Sequence, residues 1–191
     1  MEIPTPIAPK TISSEISALC ERLVVGGIPV YLTVNPSPEA VVNECYQNVE
    51  KAIAKNGGNM QCGWQIWETI PGVMIEAEFH AVWKDASNIY HDLTPKELAG
   101  IDRILFLPDP HRKYEGKQVD NVRIPLVKDQ LLDQFIENET LYFEATNKGS
   151  LANYHGVIEL THEIKKILEK RAALGLAVFE KYFNTDESKS S

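Results

Sequence analysis

Residues 74–83, Met-Ile-Glu-Ala-Glu-Phe-His-Ala-Val-Trp, constrain the fold more than any other part of the chain. Successive side chains of a strand point to opposite faces. One face therefore carries Ile75, Ala77, Phe79, Ala81 and Trp83, all apolar, and the other carries Glu76, Glu78, His80 and Val82. A strand divided this way lays one side on a core and turns His80 toward a polar, cleft-like side.

A second run, 88–94, divides into Ile89, His91 and Leu93 on one side and Asn88, Tyr90, Asp92 and Thr94 on the other. A three-residue loop, Asp85-Ala86-Ser87, would pair Trp83 with Ile89 and Phe79 with Leu93. That register sets His80 directly across from Asp92, whereas a slip of one residue opposes Phe79 to Asp92. Directly opposed residues have Cβ atoms about 4.5–5.5 Å apart. The carboxylate is then placed to accept an imidazole N–H and hold the ring's tautomer.

Around this hairpin the pattern alternates between helix and strand. Pro4, Pro6 and Pro9 keep residues 1–10 extended, and the stripe Ile12, Ile16, Leu19, Cys20 and Leu23 predicts a helix over 11–23 that Gly26-Gly27 stops. A strand over 28–34 and a helix running to about residue 55 follow, with Ser37 as N-cap and Pro38 in the first turn. Further strands are expected near 62–67, 101–107 and 122–126, then a short helix over 131–136 and a long one over 156–183. The polar stretch 184–191 reads as a disordered tail. This order predicts one α+β domain over residues 1–183, with a mostly antiparallel sheet packed against helices.

The formal net charge of -8 argues against nucleic acid or an anionic membrane as partner, since neither would be attracted. No apolar run is long enough to span a bilayer. Residues 1–10 show no basic-then-apolar secretory pattern, so the cytoplasm is the expected compartment. Three cysteines without CxxC spacing favour free thiols over a disulfide framework or structural zinc. Glu76, Glu78 and His80 share a face, but no second histidine joins them there, so no metal and no cofactor is expected. Nothing in the chain specifies an oligomeric state.

Cys45 admits two readings. With Asn43 as cap of a helix starting at Glu44, the thiol stands in the first turn, where the dipole and a neighbouring imidazolium favour a thiolate. Alternatively Val41, Val42, Cys45, Val49, Ala52 and Ile53 form one stripe of an unbroken helix from Pro38, and Cys45 is a core thiol. Cys62 is a second thiol, on a strand, without a helix dipole.

Cys-Tyr-x-Asn at 45–48, His-Ala-Val at 80–82 and Asp-Leu-Thr-Pro at 92–95 resemble the papain-like cysteine hydrolase superfamily, in its transglutaminase-like and protein-deamidase branch. Gly57-Gly58 after the helix and Gly63-Trp64 on the next strand fit the same pattern. The resemblance covers roughly residues 40–95. It implies a papain-like core, with Cys45 as nucleophile, His80 as general base then acid, and Asp92 as orienting carboxylate. The implied activity is hydrolysis or acyl transfer at an amide of a peptide, isopeptide or glutamine side chain. Glu44, directly before the thiol, departs from the pattern. Asn43, Trp64, Glu78 and Tyr90 are the oxyanion or substrate-binding candidates. The competing reading is a non-catalytic binding protein that keeps the fold and offers Glu76 and Glu78 as an acidic recognition face.

Overall fold

The computed structural model describes residues 6–154 and 156–183; the tail over 184–191 lies outside the described residues. The chain runs α1 (Ser14–Leu23), β1 (Val30–Thr33), α2 (Cys45–Asn56), β2 (Asn59–Ile70), β3 (Met74–Lys84), β4 (Tyr90–His91), β5 (Arg103–Pro108), β6 (Val122–Pro125), α3 (Gln130–Thr146), a 3-10 turn (Gly149–Asn153) and α4 (His162–Phe183). It is a mixed α+β fold around one six-stranded sheet of order β1-β5-β2-β3-β4, with β6 also on β3. Every pairing between named strands is antiparallel.

The β2–β3 hairpin is the spine of the sheet. Its register pairs Gly63 with His80 and Trp64 with Phe79, so the apolar face read from the sequence is continuous across both strands. Phe79, Ala77, Ala81, Trp64 and Cys62 face α1 and α2, whose Ile16, Leu19, Cys20, Cys45 and Val49 complete the main core. The opposite face holds Val82, Trp67, Ile104 and Phe106, covered by Tyr90, Val34 and Ile101 rather than by a helix. Gly63 lets β5 come close: a Cβ there would lie 2.2 Å from the Leu107 carbonyl oxygen and 2.7 Å from the Phe106 ring.

Helices α3 and α4 form an antiparallel hairpin that docks Leu132 and Val178 on Ile70 and Met74, at the turn end of β2–β3. Asp129 caps α3 by accepting from the Leu131 N–H (3.0 Å). With α4 packed alongside, α3 extends to Thr146, well beyond the short helix expected over 131–136. The last helix starts at His162 rather than near 156, because Thr161 Oγ1 accepts from the Ile164 N–H (3.2 Å) and caps it there. No helix among the described residues is long and apolar enough to cross a membrane.

The β3–β4 register differs from the expected one by two residues. Trp83 pairs with His91 and Lys84 with Tyr90, so five residues, 85–89, make the loop. Asp85 builds that loop: its Oδ1 accepts from the N–H groups of Ser87 (2.8 Å) and Ile89 (2.9 Å), and Asn88 takes a positive φ of 64°. Turn chemistry outweighed the apolar pairing, and Ile89 is left 56% exposed. An even slip preserves side-chain parity, so Asp92 still shares a face with His80, diagonally rather than directly opposed.

Candidate active site

Helix α2 starts at Cys45, not at Pro38 or Glu44. Asn43 sits at φ 63°, a left-handed conformation that ends any continuous helix from Pro38, and so it is not the N-cap. Glu44 occupies the N-cap position without a capping side-chain bond. Asn48, buried in the first turn, straps the preceding loop down: its Oδ1 accepts from the Val41 N–H (2.9 Å) and its Nδ2 donates to the Val41 carbonyl (2.8 Å). Val41 and Val42 are consequently exposed and belong to no apolar stripe. The first helical bond runs from the Asn48 N–H to the Glu44 carbonyl (2.9 Å). The N–H groups at the head of α2 thus have no intrahelical acceptor, and they stand beside the Cys45 sulfur.

His80 is buried on β3, and its Nε2 lies 3.1 Å from Asp92 Oδ1. Asp92 follows β4, where a parallel bridge to Val34 and the bond from the Asn35 N–H to the Asp92 carbonyl (2.9 Å) hold its backbone. Its Oδ1 also accepts from the Thr94 N–H (3.2 Å). Lys96 Nζ approaches Oδ2 at 2.7 Å, an ionic contact off the usual hydrogen-bond directions. Lys96 donates in addition to Gln65 Oε1 (2.8 Å).

Burial alone would push the His80 imidazole down, but the Asp92 carboxylate and the Cys45 sulfur together raise it to about 9. Burial would likewise raise the Asp92 carboxyl; His80 and Lys96 overcome it and hold it below its ordinary value.

The thiol and the imidazole come from opposite faces of the sheet. Cys45 belongs to the core cluster on the α2 side, whereas His80 projects with Glu78 to the other. They meet at an opening in the edge of β3: β6 pairs with residues 74–77 and β4 with 83–84, and no named strand pairs with 78–82 on that edge. Here the Cys45 sulfur stands close enough to the His80 ring to be one of the groups that raise its pKa. Since Nε2 faces Asp92, Nδ1 is the nitrogen left for the sulfur. Tyr46 flanks the thiol, stacked on Tyr114 with ring centroids 3.6 Å apart. Cys45 is therefore at once a core-packed residue and the first residue of its helix.

A cleft of about 460 Å³ opens onto this group, with Asn43, Gln65, Trp67, Glu78 and Lys96 in its walls. Of the candidates read from the sequence, the structure brings Cys45, His80, Asp92, Asn43 and Glu78 together. Trp64 and Tyr90 are not in the cleft. Trp64 is buried on the α2 face, directed at Asp109 Oδ2 (3.4 Å), and Tyr90 packs edge-on against Phe106. Strand parity explains the exchange: Trp64 and Trp67 are three apart, so they face opposite ways, and Trp67 takes the cleft side. Glu76 bonds to Arg123 Nε (3.0 Å) and Asn121 Nδ2 (2.8 Å), so it is no part of a free acidic face. Cys62 is a packed thiol whose ionisation burial disfavours.

Lys96, Gln65 and Gln118 were not legible as site residues. Lys96 had one signal, its position four residues beyond Asp92; Gln65 and Gln118 come from distant segments and had none. Among the described residues no group of three or more histidine, cysteine, aspartate or glutamate side chains is arranged to hold a metal ion. Compared with protein-family models, curated proteins and solved structures, the chain matches none.

Proposed function

We propose that this protein is a cysteine hydrolase or acyltransferase acting on an amide of a peptide or protein, with Cys45, His80 and Asp92 as its catalytic triad. The observation that carries the proposal is one buried imidazole bonded to a carboxylate, with a helix-head thiol beside it in the same cleft. That is the arrangement nucleophilic catalysis by sulfur requires. The short motifs at 45–48, 80–82 and 92–95 point to the papain-like and transglutaminase-like enzymes, and the papain-like character of the core rests on them alone.

The chemistry follows from the positions. The Cys45 thiolate attacks the amide carbon, and the carbonyl electron pair moves to oxygen. The uncapped N–H groups at the start of α2 and the Asn43 side chain in the cleft wall are the donors we assign to that developing oxyanion. His80 gives its Nδ1 proton to the leaving nitrogen as the C–N bond breaks, which leaves a thioester on Cys45. Water or a primary amine then attacks the thioester and loses a proton to His80, and the thiolate departs. Asp92 keeps Nε2 protonated and stabilises the imidazolium throughout.

The test is iodoacetamide alkylation at pH 7 with peptide mapping of all three cysteines. Cys45 is expected to react well ahead of Cys20 and Cys62, and His80→Ala to slow it on the order of tenfold or more. A Cys45 that stays inert in the folded protein while Cys20 or Cys62 reacts overturns the proposal. A reactive Cys45 that never forms an acyl-enzyme with amide substrates supports the non-catalytic binding reading instead.

A further inference from the structure

The cleft beside Cys45 contains a carboxylate that has no cationic partner among the described residues. Glu78 lies two residues before His80 on the same face of β3, so their Cα atoms are about 6.7 Å apart along the strand. Its Oε2 accepts from Trp67 Nε1 (3.0 Å) and Gln65 Nε2 (3.3 Å), two neutral donors that fix its direction without balancing its charge.

The basic side chains nearby are already committed. Lys96 sits on Asp92 (2.7 Å), Arg123 on Glu76 (3.0 Å) and Asp120 (3.1 Å), and Arg171 on Glu139. Glu78 makes no ion pair with any described residue within 4.0 Å. Yet it stands where the cleft and the two cavities next to it converge, lining all three together with Gln118. One of those neighbours, of about 700 Å³, carries the trough away from the thiol toward α3 and α4. A polypeptide entering along the trough passes Glu78 before its amide reaches Cys45. The Trp67 indole next to the carboxylate adds an aromatic face to the same wall, a pairing of groups that suits a cation.

We propose that Glu78 is the specificity residue of this cleft and takes the cationic side chain, lysine or arginine, of a polypeptide whose neighbouring amide is presented to Cys45. The assignment rests on the thiol chemistry proposed above and adds the class of substrate. Gln65 ties the two functions together: its Nε2 holds Glu78 and its Oε1 accepts from Lys96, which in turn holds Asp92. The carboxylate that reads the substrate and the one that orients the imidazole are thus joined in one row of hydrogen bonds and an ion pair.

The test uses small methanethiosulfonates on the full chain, since these modify a thiol regardless of any natural substrate. Three reagents are compared: the 2-aminoethyl (cationic), methyl (neutral) and 2-sulfonatoethyl (anionic) compounds. Rates at Cys45 are read by mass spectrometry and normalised to those of a small free thiol. Cys45 is expected to prefer the cationic reagent over the anionic one on the order of tenfold, given one uncompensated charge in the wall of the same partly buried cleft. Glu78→Gln should remove most of that preference, read as the ratio of the cationic to the neutral rate within the same variant. Glu97→Gln, on the outer wall of the same cleft, should leave the preference nearly intact. A cation preference that survives Glu78→Gln, or no preference at all with a fast neutral rate, overturns the assignment of Glu78 and leaves the thiol reading standing. A neutral rate no faster than at Cys20 or Cys62 overturns the thiol reading itself.

Discussion

Two of the sets of ion pairs in this molecule, one in the thiol cleft and one on the helical hairpin, differ chiefly in how far their cations contact water. In the cleft, the side chains of His80, Asp92 and Lys96 are only 5%, 0% and 9% exposed. On the hairpin, Arg171 grips Glu139 through two nitrogens (2.5 and 3.0 Å), yet its side chain is 44% exposed. Asp129 meets Lys181 (2.7 Å) and the Tyr182 hydroxyl at the surface in the same way. The carboxylates of Glu139 and Asp129 are themselves only 9% exposed, so solvent reaches the second set through its cations; removing a cation opens its carboxylate to water, and these pairs are worth little individually. A charge stranded in the first set has no water to turn to. Good geometry occurs in both regions; burial of both partners, cation as well as carboxylate, makes it consequential in the cleft.

The sharpest way to break this contrast is Asp92→Ala. It strands Lys96 and leaves His80 buried without its acceptor, and should cost about 3–5 kcal/mol in denaturant unfolding. A loss under about 1 kcal/mol would mean that the cleft pairs are as well hydrated as the surface ones.

Next comes pH. The folded chain holds the His80 proton to about pH 9, whereas the unfolded chain releases it near 6.5. The folded state therefore binds more protons between those values, and stability is fully present below about 6.5 and falls as pH rises toward 9. The expected loss is on the order of 3 kcal/mol. Asp92→Asn should flatten the slope in that window; a slope unchanged in the variant would assign the effect to another group.

Lys96→Met is expected to be milder, about 1–3 kcal/mol, because Asp92 keeps His80 and loses only the ionic contact at Oδ2. It should also slow Cys45 alkylation at pH 7, a readout that a purely structural loss would not move. Arg171→Ala should be the smallest of the four, about 1 kcal/mol, with Cys45 alkylation unchanged. If it equalled Asp92→Ala, exposure would not be what separates the two regions.

Much of the site was readable because strand parity is robust. The hairpin register was expected two residues away from where it lies, yet His80 and Asp92 still share a face, since any even slip preserves the alternation. The loop itself was misjudged. The apolar match of Trp83 with Ile89 carried less weight than the bonds from Asp85 to the Ser87 and Ile89 N–H groups. The start of α2 was open for a related reason. Local pattern alone did not decide whether the helix began at Pro38 or near Cys45; the left-handed Asn43 and the strap from Asn48 to Val41 did.

What the sequence determined by itself were the period-dependent properties: the amphipathic strand at 74–83, the common face of His80 and Asp92, and the mixed order of helices and strands. These depend on residues a few positions apart, where covalent geometry dictates direction. Only the tertiary structure decided that a thiol from one side of the sheet meets a histidine from the other, through the opening that β4 and β6 leave on β3. It alone seated Lys96 on Asp92 and Gln65 between Lys96 and Glu78, and it alone left Glu78 without a cation among the described residues. Those outcomes depend on where strands end and which side chains reach across loops, and no local periodicity encodes that.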